Sequence, residues 1–286
     1  MVLTTLLFVS LTGTVRWIGP VLPAPESAFL RFVLGIVFLL PMFGEMLRVS
    51  FDRRLFRLLL VRSAVHAVAV MLWFFAMARI PIAEVVAIGY LTPVFVSIGA
   101  ALFLGERMAL RRMAAVFVAF LGALVILRPG FRELGLGHAA QLLSAPFFAM
   151  SYLVAKRLSG EVAPSVIVGW MSLIVPLFLA PPAIAQWVTP GMREILGLML
   201  VAAFGTAGHY AMTRAFRAAP VTITQPVVFL QLVWATLLGH YVFDEPVDGW
   251  VIAGGAMIVA AVSFISLREA MRSRRPPTPP APAPKL

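Results

Sequence analysis

A small set of side chains inside long apolar stretches carries the chemistry of this chain. Arg62, His66 and Trp73 stand at i, i+4 and i+11, which puts them along one stripe of a helix. Tyr90, Pro93 and Ser97 share a second helical face, and Gln141, Ser144, Phe148, Ser151 and Tyr152 a third. Thr206, His209, Tyr210 and Thr213 form a fourth group, and Thr224, Gln231 and Trp234 a fifth. These are residues for recognition. Tyrosine and tryptophan present flat apolar faces with one polar handle, and glutamine both donates and accepts. Histidine is the side chain whose ordinary pKa lies close to neutrality, so His66 and His209 are the mid-span candidates for moving a proton.

The chemistry these residues do not support is equally informative. Cysteine is absent, which excludes a disulfide framework, a thiolate metal site and a cysteine nucleophile. The four histidines (His66, His138, His209 and His240) lie far apart and lack the spacing of a metal site, so neither a metal nor a cofactor is expected. Asp52, Asp244 and Asp248 are loop residues without a recurring partner, which speaks against an intramembrane enzyme. No GxxxxGK[ST] loop exists for nucleotide-driven pumping.

The elements that must hold the recognition groups follow from composition. Of the 286 residues, 61% are hydrophobic and only 12% charged, with a mean hydropathy of +0.97. Soluble domains carry roughly twice that share of charge, so the chain belongs in a membrane. A span needs about 20 mostly apolar residues. Ten segments qualify: 2–18, 28–47, 58–78, 83–104, 110–128, 138–156, 163–186, 196–215, 221–242 and 249–267. The first lacks a basic leader region and a clean cleavage site, so it reads as a mature helix rather than a signal peptide. From Ser273 the tail SRRPPTPPAPAPKL has six prolines and no apolar period, and is expected to be extended and disordered.

The net charge of +11 is a topology signal. With both termini cytoplasmic, sixteen Lys and Arg fall on the inner side, among them Arg53, Arg54, Arg111, Arg112, Arg214 and Arg272. Five (Arg16, Arg79, Arg128, Arg132 and Arg193) fall on the outer side. That bias sets the orientation in the plasma membrane and accounts for the basic pI without a nucleic-acid partner.

Sliding the chain on itself by 139 residues aligns Pro81 with Pro220, each opening a helix, and Glu106 with Glu245, each just past the end of that helix. Five spans per half is an odd number, so the second half enters the membrane from the opposite side and the repeat is inverted. The expected fold is therefore all-α, with one five-helix unit at 1–130, a second at 138–268 and a tail at 269–286. Glu106 and Glu245 read as structural anchors.

At these residues the chain resembles the EamA-type transporters of the drug/metabolite transporter superfamily. The similarity is carried by RIPIAEVVAIGYLTPVFVSIGAALFLGERMALRR with FLGALVILRPG, and by AFRAAPVTITQPVVFLQLVWATLLGHYVFDEPVDGWVIAGGAMIVAA in the second half. ESAFLRFVLG is similar to that family's arginine at the head of the second helix, here Arg31. LQLVWATLLG resembles subgroups associated with riboflavin or S-adenosylmethionine uptake. The resemblance implies a ten-helix, basket-shaped carrier alternating between inward- and outward-open states, with spans three, four, six, eight and nine around its cavity.

The substrate-binding candidates are then Trp73, Tyr90, Ser144, Tyr152, His209, Tyr210, Gln231 and Trp234, with Arg31, Arg62 and His66 as gating or coupling groups. Ser and Thr within spans also bond to their own backbone, and Arg62 also reads as snorkelling to the cytoplasmic interface. No acid lies in mid-span, unlike the small multidrug exporters of the same superfamily, so a neutral, zwitterionic or anionic small molecule suits the cavity better than an organic cation. A flat heterocycle of the riboflavin kind or an amino acid fits best; a multidrug exporter, a channel or a scramblase are the alternatives. The expected partners are this substrate and the lipid bilayer. Small residues on spans five (Ala115, Ala119, Gly122, Ala123) and ten (Gly254, Gly255, Ala256, Ala260) suit close packing, either against each other or in a homodimer.

Overall fold

A computed structural model describes the chain except for Met1, residues 50–51, 104–109, 132, 159–160, 219–229 and 274–286. It also leaves some helix side chains undescribed, those of His209 and Tyr210 among them. The described residues are almost wholly helical. In chain order the helices are α1 (Val2–Ile18), α2 (Ala24–Gly35), the single turn α3 (Phe43–Met46), α4 (Arg53–Met77), α5 (Ile82–Gly89) and α6 (Leu91–Phe103). They continue with α7 (Leu110–Leu127), α8 (Leu136–Leu158), α9 (Pro164–Ala185), α10 (Met192–Ala218), α11 (Leu230–Phe243) and α12 (Gly249–Ser273).

Local chemistry sets the boundaries. Asp52 caps α4 by accepting the Leu55 N–H at 2.6 Å. Pro81 stands just before α5, where a missing N–H costs least. Two expected spans are not continuous helices. The second runs from α2 through a 3-10 stretch, Ile36–Met42, into α3. The fourth breaks at Tyr90, because Pro93 has no N–H to return to the Gly89 carbonyl. Arg128 and Asp244 end α7 and α11 in the left-handed region (φ 46° and 53°), which turns the chain sharply at both sites. The boundary at Pro220 and the Pro-rich tail lie outside the described residues.

Three helical stretches, Val2–Val21, Arg53–Met77 and Ser165–Ala185, are long and apolar enough to cross a membrane by length and composition. Shorter apolar helices run over Ile82–Val96, Met113–Leu127, Leu230–Phe243 and Gly249–Ile265. The outward surface is greasy: Leu40, Leu102, Phe117, Leu177 and Tyr241 are all more than 60% exposed, with Leu6, Leu121 and Leu237 above one-third. Such a continuous apolar exterior is untenable in water and ordinary in lipid.

Helix α4 packs along α8 and α9, α1 along α10, α7 along α12, and α2 along α9 and α10. The α7–α12 contact is made by the small residues singled out above. Ala115, Ala119 and Ala123 are buried, and a Cβ on Gly122 would lie 2.7 Å from the Gly254 carbonyl oxygen. Only glycine permits that approach. A main apolar core joins every described helix but the single turn α3, and a small satellite of Leu55, Leu59, Leu158, Ile167 and Ile174 closes the end near Arg53.

Candidate substrate site

The α4 stripe read from the sequence points into the bundle and meets α2, α8 and α9. His66 is buried; its Nδ1 lies 3.2 Å from the Ser151 hydroxyl, which is itself fully buried. Its ring makes edge contacts with Phe32 of α2 (centroids 6.3 Å apart) and Phe148 of α8 (5.4 Å). Phe148 also meets Trp73 edge-on at 6.3 Å and stacks on Tyr152 at 6.2 Å with a 25° interplanar angle. The geometry is within the range in which aromatic pairs attract beyond their area burial. Tyr152 is 43% exposed although its ring stacks inward, whereas its neighbours Ser151 and Leu153 are buried. The cluster gathers ring faces of α4 and α8, with Tyr152 at its open edge.

Two guanidinium groups border the aromatic cluster. Arg62 is only 5% exposed and donates from Nη1 to the Ile167 carbonyl of α9 at 3.0 Å. It also stands within electrostatic reach of Tyr152. This corrects the snorkelling reading: the side chain turns into the bundle and does not run out to the interface. Arg31 lies with its guanidinium carbon 4.8 Å from the centroid of the Phe32 ring. It fills the space over Gly205 of α10, where a Cβ would lie 2.7 Å from Nη2. The Nε atoms of both arginines have no hydrogen-bond partner among the described residues.

The remaining candidates sit elsewhere. Tyr90 is buried, and its hydroxyl meets the backbone of Leu232, tying the α5–α6 break to α11. Ser144 donates to the Gln141 carbonyl at 2.7 Å, a bond to its own helix. Gln141 spends its amide on the Val85 carbonyl at 2.9 Å. Gln231 and Trp234 lie half-buried on α11, and the Trp234 indole N–H has no partner among the described residues. The side chains of His209 and Tyr210 lie outside the described residues. Phe32 was not singled out by sequence reasoning; its position next to Arg31 on α2 was the available signal.

A second polar region was missed. At the end of the bundle that holds Arg16, Pro81 and Arg128, every described ion pair joins the N-terminal half to the C-terminal half. Glu245 is 8% exposed; it accepts the Ile82 N–H at 2.9 Å and pairs with Arg16 at 3.1 Å. His138 Nε2 is 2.9 Å from Glu84, and Arg128 pairs with Asp248. Burial pushes the Glu245 carboxyl above the usual carboxylate range, helped by the nearby Glu84 and opposed by the Ile82 N–H and Arg16. A cavity of about 140 Å³ opens beside this latch, lined in part by Pro81, Glu84, Thr236, Gly239, Glu245 and Val251. Glu245 is thus an anchor, as expected, with a specific partner set; Glu106 lies outside the described residues.

With this geometry in view, the model of the EamA-like transporter family matches the chain twice, over residues 1–128 and 135–267. The chain belongs to the EamA-like transporter family. This EamA-like protein is 31% identical over 284 residues to the riboflavin transporter of Rhizobium johnstonii, covering 96% of this chain and 92% of the relative. It is 30% identical to the riboflavin transporter of Vibrio cholerae (89% and 86% covered). It is 29% identical to the pseudopaline exporter CntI of Pseudomonas aeruginosa (93% and 94% covered). A solved crystal structure shares the fold at a TM-score of 0.53 and 19% identity, over 92% of this chain and 98% of that one. The protein is therefore a multi-pass membrane protein of the drug/metabolite transporter group, for which a small-molecule substrate fits.

Proposed function

We propose that this EamA-like transporter is a secondary carrier, not an enzyme, and that it moves a small neutral, zwitterionic or anionic metabolite across the plasma membrane by alternating access. The observation that carries the reading is the aromatic cluster of Trp73, Phe148 and Tyr152 between α4 and α8, which belong to different halves of the chain, and which we read as the wall of a substrate cavity. A riboflavin-like heterocycle suits those ring faces, and two of the relatives above are named riboflavin transporters.

The helix pairing supports two inverted five-helix halves. Exchanging the halves turns the contact of the third and sixth spans (α4 with α8) into that of the eighth and first (α10 with α1). The pairs α7–α12 and α2–α9 map onto themselves. A bundle built this way has two equivalent arrangements, one open to each side. In the present arrangement the Glu245 latch holds the outer face shut, with both termini cytoplasmic by the charge bias. His66, joined to Ser151, is placed to couple a proton to the cycle. A homodimer would use the outward apolar surface of α7, Phe117 and Leu121, because its small-residue face is taken by α12.

The test is flux into proteoliposomes loaded with riboflavin, amino acids or organic anions. Saturable counterflow of one class is expected. Trp73→Ala, Phe148→Ala and Tyr152→Ala are expected to abolish it while the protein stays folded by circular dichroism. Unsaturable flux of every solute would instead mark a channel, and normal transport by all three variants would remove the site assignment.

A further inference from the structure

Charge is expensive inside a membrane, so an intramembrane cation normally has a counter-charge in view. The chain has twelve carboxylates, and ten of them are described. Glu84, Glu161, Glu245 and Asp248 pair with His138, Arg54, Arg16 and Arg128. Glu26 accepts the Val188 N–H, Glu45 the Ser165 hydroxyl and Asp52 the Leu55 N–H. Glu133, Glu194 and Asp244 lie at or beyond helix ends. None of these ten makes an ion pair with Arg31 or Arg62. Both arginines nevertheless point inward, one over the Phe32 ring and one beside Tyr152, at the two ends of the Phe32–His66–Phe148–Tyr152 stack. Arg62 is held there by the Ile167 carbonyl, which orients the guanidinium without neutralising it.

We propose that Arg31 and Arg62 are anion docks at the two ends of the aromatic cluster, either of which takes the anionic oxygen group, a carboxylate or a phosphate, of a transported molecule that also carries a planar ring. The ring lies against Trp73, Phe148 and Tyr152, and the anion supplies the counter-charge that none of the described carboxylates gives. A planar guanidinium suits either anion, because its parallel N–H groups match two oxygens at once. The dock rests on the cavity reading above and refines it: shape is read by the rings, charge by the arginines.

The experiment compares ligands that differ only in the anion. The pairs are indole-3-acetate with 3-methylindole and flavin mononucleotide with riboflavin, each titrated against the purified full-length protein in detergent and followed by thermal shift. At least one anionic member is expected to bind about tenfold or more tightly than its partner. Arg62→Gln and Arg31→Gln are expected to lower that ratio toward one by weakening the anionic member more than the neutral one, and Arg62→Lys to restore part of it. Because Arg62→Gln also loses the bond to Ile167, Gly205→Ala is the gentler variant: its new methyl would displace the tip of Arg31, 2.7 Å away, and press on the Leu11 side chain at 3.3 Å. It should lower the ratio without lowering the melting temperature of the ligand-free protein. Equal binding within both pairs, or a ratio unmoved by all four variants, overturns the dock and leaves the aromatic cavity standing. Binding of neither member of either pair overturns the cavity reading, and the dock with it.

Discussion

The α4–α8 cavity and the Glu245 latch use the same kinds of residue to opposite ends. In the latch every charge named has a partner on the other half of the chain, at 3.1 Å for Arg16 with Glu245 and 2.9 Å for His138 with Glu84. In the cavity Arg31 and Arg62 have aromatic and carbonyl neighbours but no carboxylate among the described residues. Paired charge fixes two elements against each other; solitary charge is left for something that comes and goes. The two regions also differ in surface: Glu245 is almost closed off, whereas Tyr152 keeps 43% of its area open. One region seals and the other receives.

The largest effects should come from the receiving side. Losing a fully used aromatic face removes about 1.5–3 kcal/mol of apolar burial, or roughly a tenfold to hundredfold change in affinity. Phe148→Ala is expected to fall in that range for ligand binding, since its ring touches His66, Trp73 and Tyr152 at once. Phe32→Ala, whose ring meets the cluster at the His66 edge and supports Arg31, should cost less in ligand binding. Titration calorimetry on both variants orders them; equal losses would mean the stack acts as one rigid unit.

The sealing side comes next. Glu245→Gln keeps the shape of the carboxylate but gives up its charge on Arg16. Hydrogen bonds to charged groups contribute about 1.5–3 kcal/mol, but burial disfavours the carboxylate here and Arg16 is a quarter exposed, so the net loss falls below that range. The absence of cysteine makes the readout clean. Thr236→Cys places one thiol in the cavity beside the latch, and its labelling by a water-soluble maleimide should rise several-fold when Glu245→Gln is added. Unchanged labelling would make Glu245 a static brace and not part of a gate.

Acidity sharpens the same contrast. The Glu245 carboxyl is raised by burial, so the folded protein holds this proton more tightly than the unfolded chain. Its contribution to stability is therefore fully present at acid pH and is lost as pH rises through the folded pKa. The groups facing it are Arg16, Glu84 and, through the Glu245 carbonyl, His240. Thermal melts from about pH 4 to neutrality should show a decline in the wild type that is smaller in Glu245→Gln. Parallel curves would assign the decline to another group.

The all-helical class was legible in the sequence and much of the site was not. Apolar stretch length located most of the described helices, because a span has a fixed physical length, but not the breaks in the second and fourth spans or the extension of α12 to Ser273. The small-residue faces of α7 and α12 were legible too, since only backbone proximity explains Gly122 and Gly254 at matching depth. Helical spacing put Arg62, His66 and Trp73 on one face, and the structure brings them to the same cluster. What spacing does not reveal is which face meets which. Ser144 and Tyr90 lie on polar stripes but spend their hydroxyls on a helix carbonyl and a neighbouring backbone. The latch was invisible for the converse reason: His138 and Glu84 are 54 positions apart, and Arg16 and Glu245 belong to opposite ends of the chain.

The smallest effect expected is the most useful control. Arg54 and Glu161 also join the two halves, with contacts of 2.8 and 3.3 Å, but at the opposite end of the bundle and with exposures of 54% and 36%. If cross-half pairing alone made a gate, Arg54→Gln should open that end as Glu245→Gln opens the other. Solvent-exposed pairs contribute only about 0.2–1 kcal/mol, and salt screens them further. Arg54→Gln should therefore leave the melting temperature within about a degree of the wild type and ligand affinity unchanged. A loss comparable to that of Glu245→Gln would mean that both ends are held by specific pairs, and burial would cease to distinguish the seal from ordinary surface charge.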